Sequence, residues 1–228
     1  MYSLLLIAHV AVGVVALIAY WTAGFARKGS PLHRAAGKVF MLLMLGILAT
    51  SVVFVARMVS NDALASAVFF AYLIVISGSA LITGWFSLKL KREHARYFGV
   101  WYRALAGFNI ACGAGVLALG IGGGNPILMG FSMVGLVRGG GMWWLSAQAE
   151  SPRWWLREHL GSMIGNGVAV HVAFLLVGLE RLLPKDLQGH TQLVGWLLPL
   201  AVAGIAGVVF GRRYRATPAS RTASASEA

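Results

Sequence analysis

The chain has 228 residues, of which 58% are hydrophobic and only 11% charged. An ordinary soluble domain carries about 25% charged residues, and a chain this size leaves too much surface exposed to hide so much apolar area from water. The composition, with a mean hydropathy of +0.76, therefore excludes a water-soluble domain and points to lipid as the solvent. A formal charge of +12 would suggest nucleic acid in a soluble protein. Here the charges fall between apolar stretches, so they read as topology signals at a membrane surface, with no nucleic-acid partner.

A helical span needs about 20 apolar residues, and seven stretches meet that length. The sequence predicts an all-α, polytopic bundle over residues 1–215. The spans are 2–26, 30–60, 64–90, 102–122, 125–149, 151–183 and 191–213. The first has no basic segment before it and is read as a retained span rather than a cleaved signal. Spans two, five and six open on Ser30-Pro31, Asn125-Pro126 and Ser151-Pro152. Each pairs an N-cap residue with proline at the first helical position, where its missing N–H is harmless. Gly122, Gly123 and Gly124 close the fourth span. The tail 216–228 is Ala/Ser/Thr-rich and predicts disorder. Continuous apolar runs of this length exclude a membrane barrel, whose strands alternate.

Basic residues cluster in alternate connections: Arg27, Lys28, Arg34 and Lys38; then Lys89, Lys91, Arg92, Arg96 and Arg103; then Arg153 and Arg157; then Arg212, Arg213, Arg215 and Arg221. The intervening connections are near neutral. By the positive-inside rule the N-terminus is outside and the C-terminus cytoplasmic. Tyr97, Trp101, Tyr102, Trp154 and Trp155 fit interfacial aromatic belts. The small residues Gly107, Ala111 and Gly115, and likewise Gly161, Gly165 and Ala169, recur at four-residue spacing. Such faces allow close helix approach within one chain or between two, so a homodimer is an open alternative. Cys112 is the one cysteine, which excludes an internal disulfide.

Four histidines are candidates for chemistry. At ~1.5 Å per residue, His9 and His171 fall in the outer half of the bilayer, and His33 and His159 near its cytoplasmic edge. Two layers of paired imidazoles between helices would suit haem b or a transition metal, with His33 and His159 as the metal pair. Interhelical hydrogen bonding is the plain alternative. Arg138 lies near the centre of the fifth span, where a charge costs at least ~2.5 kcal/mol unless it faces the bundle or a wet cavity. With Asn109 and Asn166 it forms a candidate polar site; Ser77, Ser79 and Thr83 are further buried polar groups. No Asp or Glu is expected deep in any span, which counts against an ion-coupled transporter.

The segment Ala8–Met44, with His9, Gly13, Pro31-Leu32-His33-Arg34 and Gly37, resembles a bacterial membrane family, DUF2306, in its first-helix histidine and its L-H-R-x-x-G motif. Trp155-Leu156, His159 and Met163 resemble the same family's W-[LM]-x-x-H-x-x-x-M pattern, while His171 lies outside it. The resemblance implies a bacterial inner-membrane location and no established activity. Three functions remain open: a haem- or metal-binding redox module on the histidines, a small-molecule or lipid-like carrier around Arg138, or a non-catalytic membrane scaffold.

Overall fold

The computed structural model describes residues 2–179 and 192–215. It is helical along nearly all of them. Seven long helices are α1 (Tyr2–Phe25), α2 (Pro31–Ser60), α3 (Leu64–Lys89), α5 (Val100–Gly122), α6 (Pro126–Ser146), α7 (Trp154–Ala173) and α8 (Gln192–Arg215), with a single-turn α4 (His94–Tyr97) before α5. A π-helical stretch, Phe174–Leu179, follows α7. Six spans among the described residues are apolar enough, over a long enough run, to cross a membrane. Helix α6 has the length but not the hydropathy, because Arg138 and three successive glycines interrupt it. The predicted disordered tail, and the end of the predicted sixth span past residue 179, lie outside the described residues.

Two of the three Ser/Asn-Pro starts hold. Ser30 Oγ accepts from the backbone N–H of His33 at 3.2 Å, and Asn125 Oδ1 accepts from the N–H groups of Ile127 and Leu128 at 3.0 and 3.3 Å. The third does not. Ser151 and Pro152 form a turn, closed by the Trp154 N–H on the Ser151 carbonyl at 3.2 Å, with Arg153 at φ 59°. Proline is as well suited to the second position of a turn as to the first of a helix, so α7 starts at Trp154, without a side-chain cap.

Consecutive helices run antiparallel, and α3 lies at the centre, packed on α2, α5 and α7. The loops at 26–30, 90–99 and 147–153 therefore share one end of the bundle, called the basic end here. Helices α1 and α2 form a hairpin whose core is Ala16, Ala19, Phe40, Met41 and Met44, closed by Leu81 and Val170. An aromatic cluster of Tyr97, Phe98, Tyr102 and Trp154 fills the basic end. A mixed apolar cluster, which includes Phe69, Tyr72, Phe131 and Val172, fills the opposite end.

The close α5–α6 contact uses different small residues from those expected. A Cβ on Gly113 would meet the Ser132 carbonyl at 3.1 Å, one on Gly120 the Met129 nitrogen at 2.9 Å, and one on Gly139 the Ala106 carbonyl at 2.7 Å. The predicted stripe turns away instead: Ala111 is exposed, and nothing lies within 4 Å of where a Cβ would stand on Gly107 or Gly115. Residues 106, 113 and 120 recur at seven, close to two helical turns, and keep one face as four-residue spacing does.

Candidate functional site

Four helices contribute polar side chains to one interior column, two of them as stripes. On α7, Glu158, Ser162 and Asn166 recur every four residues, and on α3 so do Ser79, Thr83 and Ser87; all six are buried. Four-residue spacing puts them on one face of each helix, and the two faces meet where Thr83 Oγ1 and Ser162 Oγ lie 2.9 Å apart. From α5, Asn109 donates to Ser79 Oγ at 2.8 Å. Helix α6 contributes Arg138.

Arg138 Nη2 lies 3.1 Å from Glu158 Oε2, and the glutamate is almost wholly buried. This pair places a buried carboxylate one turn into a span, shallower than the deep positions where none is expected. Three donors converge on its Oε2: the guanidinium, the Tyr97 hydroxyl at 3.0 Å and the Tyr102 hydroxyl at 2.9 Å. Thr83 gives its own proton to the Ser79 carbonyl at 2.8 Å, so its oxygen accepts from Arg138 Nη2 at 3.1 Å. Each group in this cluster is matched, as a charge in a low-dielectric interior requires.

The aromatic residues expected at the interface are part of this arrangement. Tyr97 and Tyr102 are fully buried and Trp154 nearly so. A buried tyrosine hydroxyl needs a partner, and here both use Glu158. The sequence signal that could have found the glutamate is the pair of four-residue polar stripes on α3 and α7.

A cavity of about 210 Å³ at the basic end reaches this centre, its lining including His94, Phe98, Trp144, Trp154, Arg157 and Glu158. Asn109 and Asn166, predicted as part of the polar site, are both buried about two turns further in. Each donates an amide hydrogen, Asn166 to the Ser162 carbonyl at 3.1 Å, while the Oδ1 of each has no partner among the described residues.

The histidines are dispersed by comparison. His9 Nδ1 lies 2.6 Å from Thr50 Oγ1 on α2. His171 instead packs on Tyr20 and Trp21 near the other end of α1. Residues 9 and 21 are separated by about 18 Å of helix at ~1.5 Å per residue, so the predicted outer pair does not form. Both His171 nitrogens are also engaged, Nε2 accepting from Trp21 Nε1 at 3.0 Å and Nδ1 donating to the Gly167 carbonyl at 2.6 Å. The other predicted pair is His33 on α2 and His159 on α7. Their Nδ1 atoms face the carbonyls of Ala23 at 2.9 Å and Gly84 at 3.3 Å. Among the described residues no group of three or more His, Cys, Asp or Glu side chains is placed to hold a metal ion. No family model, no curated protein and no solved structure matches the chain.

Proposed function

We propose that this protein is a multi-pass membrane carrier or receptor for a small molecule, working through the Arg138–Glu158 centre, with the basic end in the cytoplasm. One observation supports this above the others: Glu158, the buried member of an ion pair between two helices, lines a cavity that opens at a bundle end. Charged groups inside spans mark substrate or ion pathways more often than they add stability, and a buried pair is weak as a stabilising device. The glutamate also supplies a buried carboxylate near the end of a span, which weakens the objection drawn from the lack of deeper ones. Opening the pair for a ligand would free a cation and an anion on separate helices, which couples occupancy to helix movement.

The test is thermal unfolding of the detergent-purified protein against a panel of alkyl phosphates, alkyl carboxylates, quaternary ammonium ions and neutral amphiphiles. A ligand at 100 times its Kd stabilises by about 2.7 kcal/mol. We expect at least one class to do so in the wild type and not in Arg138→Gln. A flat response across the whole panel overturns the reading.

A second reading has its own support. A carbonyl can only accept, so the Nδ1 atoms of His33 and His159 are donors, and the neutral form of each ring would present a lone pair on Nε2, the tautomer that ligates metals. Haem or a transition metal held there would give a Soret band or a stoichiometric metal in elemental analysis, lost in His33→Ala and His159→Ala. A colourless, metal-free preparation rules it out.

A further inference from the structure

The cavity at the basic end has its own chemistry, distinct from that of the ion pair beneath it. Glu158 is spoken for, since its Oε2 takes three donors and its charge is opposed by Arg138. Of the lining groups left over, Gln148 and Ser151 can donate or accept, while two others are pure donors without an acceptor among the described residues. Trp154 lines the cavity and is 5% exposed, and its indole N–H has no acceptor among the described residues. A buried donor left without a partner costs about 1–3 kcal/mol. Arg157 also lines the cavity and is half-buried, and makes no hydrogen bond or ion pair among the described residues. Both belong to the first turn of α7, whose N-terminus carries no side-chain cap, so its positive end is not matched by a side chain of its own. Around them stand apolar walls: the His94 ring packs on Phe98 and on Trp154, with centroids 4.6 and 5.5 Å away, and Trp144 adds a further face.

We infer that this cavity binds the anionic group of an amphiphile, a phosphate above all, through Arg157 and the Trp154 indole N–H, with the attached apolar body against Phe98 and Trp144. Acceptors are what the unmatched groups lack, and an anion supplies several at once. A guanidinium suits phosphate because its planar donors match two oxygens together. A cation would meet Arg157 unopposed and leave the indole N–H unsatisfied. The phosphate could be a phospholipid headgroup or a free phosphate ester; both present the same oxygens. The inference takes the location of the site from the carrier reading and adds the ligand class.

The experiment uses the full chain in nanodiscs of neutral phosphatidylcholine. Melting temperature and tryptophan emission are followed with inorganic phosphate, with decyl phosphate, and in discs doped with phosphatidic acid. A rise in melting temperature with either soluble phosphate identifies a free anion as ligand. A rise confined to doped discs identifies a lipid headgroup; both support the inference. Arg157→Gln should weaken binding by ~10-fold or more, the worth of a charge-assisted hydrogen bond. Trp154→Phe, which keeps an aromatic ring, although a smaller one, and removes the N–H, should weaken it by about 5-fold. Binding that survives both changes at wild-type affinity overturns the assignment. So does stabilisation by quaternary ammonium alone, which leaves the carrier reading standing; loss of response to every ligand class removes both.

Discussion

The α1–α2 hairpin and the α3–α5–α6–α7 core both turn apolar side chains outward, but their interiors differ in kind. The hairpin closes over Ala16, Ala19, Phe40, Met41 and Met44, and its polar groups bond across short distances to a hydroxyl or a carbonyl, as His9 does to Thr50 and His33 to Ala23. The core closes around a charge pair, two tyrosine hydroxyls and two polar stripes. Helix α3 buries ten residues, four of them Ser or Thr, whereas α1 buries two alanines. In lipid, apolar contacts give little preference for one partner over another, because the tails are as apolar as leucine. Charge pairs and close glycine contacts do give preference, so the core half sets the fold's geometry and the hairpin packs on it.

The largest expected effect tests that contrast with two shape-conserving changes. Glu158→Gln keeps the volume and removes the charge opposite Arg138. Breaking a buried pair on one side costs about 3–5 kcal/mol, to be read from unfolding in mixed micelles. Met44→Leu, an equally conservative change in the hairpin core, should cost less than about 1.5 kcal/mol. Equal losses would mean that the core's charges contribute no more than its packing. Replacing both partners, Arg138→Met with Glu158→Leu, should recover part of the loss; Tyr97 and Tyr102 would still lack their acceptor.

Next in size are the glycines of α6. Gly139→Ala places a Cβ 2.7 Å from the Ala106 carbonyl, a backbone atom that cannot rotate aside. Overpacking of this kind costs about 1–3 kcal/mol. Its neighbour Gly140 has open space around the same position, and Ala there should stabilise by about 0.5–1 kcal/mol through helix propensity. Opposite signs at adjacent positions would locate the α5–α6 seam to one residue; losses at both would move it.

A smaller effect is expected from Tyr72→Phe. The Tyr72 hydroxyl donates to the Phe131 carbonyl at 2.9 Å and accepts from the Gly135 N–H at 2.9 Å, joining α3 to the backbone of α6. Its loss should cost about 0.5–1.5 kcal/mol, the net worth of an ordinary hydrogen bond, measured by the same unfolding assay.

Much of this architecture can be read from residues. Span lengths follow from apolar runs, and two helix starts from Ser30-Pro31 and Asn125-Pro126, because those signals are local. Ser151-Pro152 misleads because the same dipeptide serves a turn. Arg138, Asn109 and Asn166 are legible as buried polar groups from their depth alone. Glu158 is not, because its depth depends on where α7 begins and its hydrogen bonds on three partners from α4, α5 and α6. The histidines err in the opposite direction. Depth along each helix is computable from sequence, but which helices are neighbours is not, and His171 meets α1 about 12 residues from His9.

The smallest effect separates the hairpin's histidine from the core's charges most sharply. Thr50 donates its hydroxyl proton to the carbonyls of Gly46 and Ile47, both at 2.9 Å, so the bond to His9 has the imidazole Nδ1–H as donor. Interhelical hydrogen bonds in membranes average about 0.6 kcal/mol, because the separated helices find other partners. Thr50→Val removes the acceptor while keeping the shape, and should lower stability by about that amount. The histidine keeps its edge contact with the Phe54 ring, 5.1 Å between centroids, so the hairpin stays closed. A loss above about 2 kcal/mol would show that this bond, and not the apolar seam of Ala16, Phe40 and Met44, holds the two helices together.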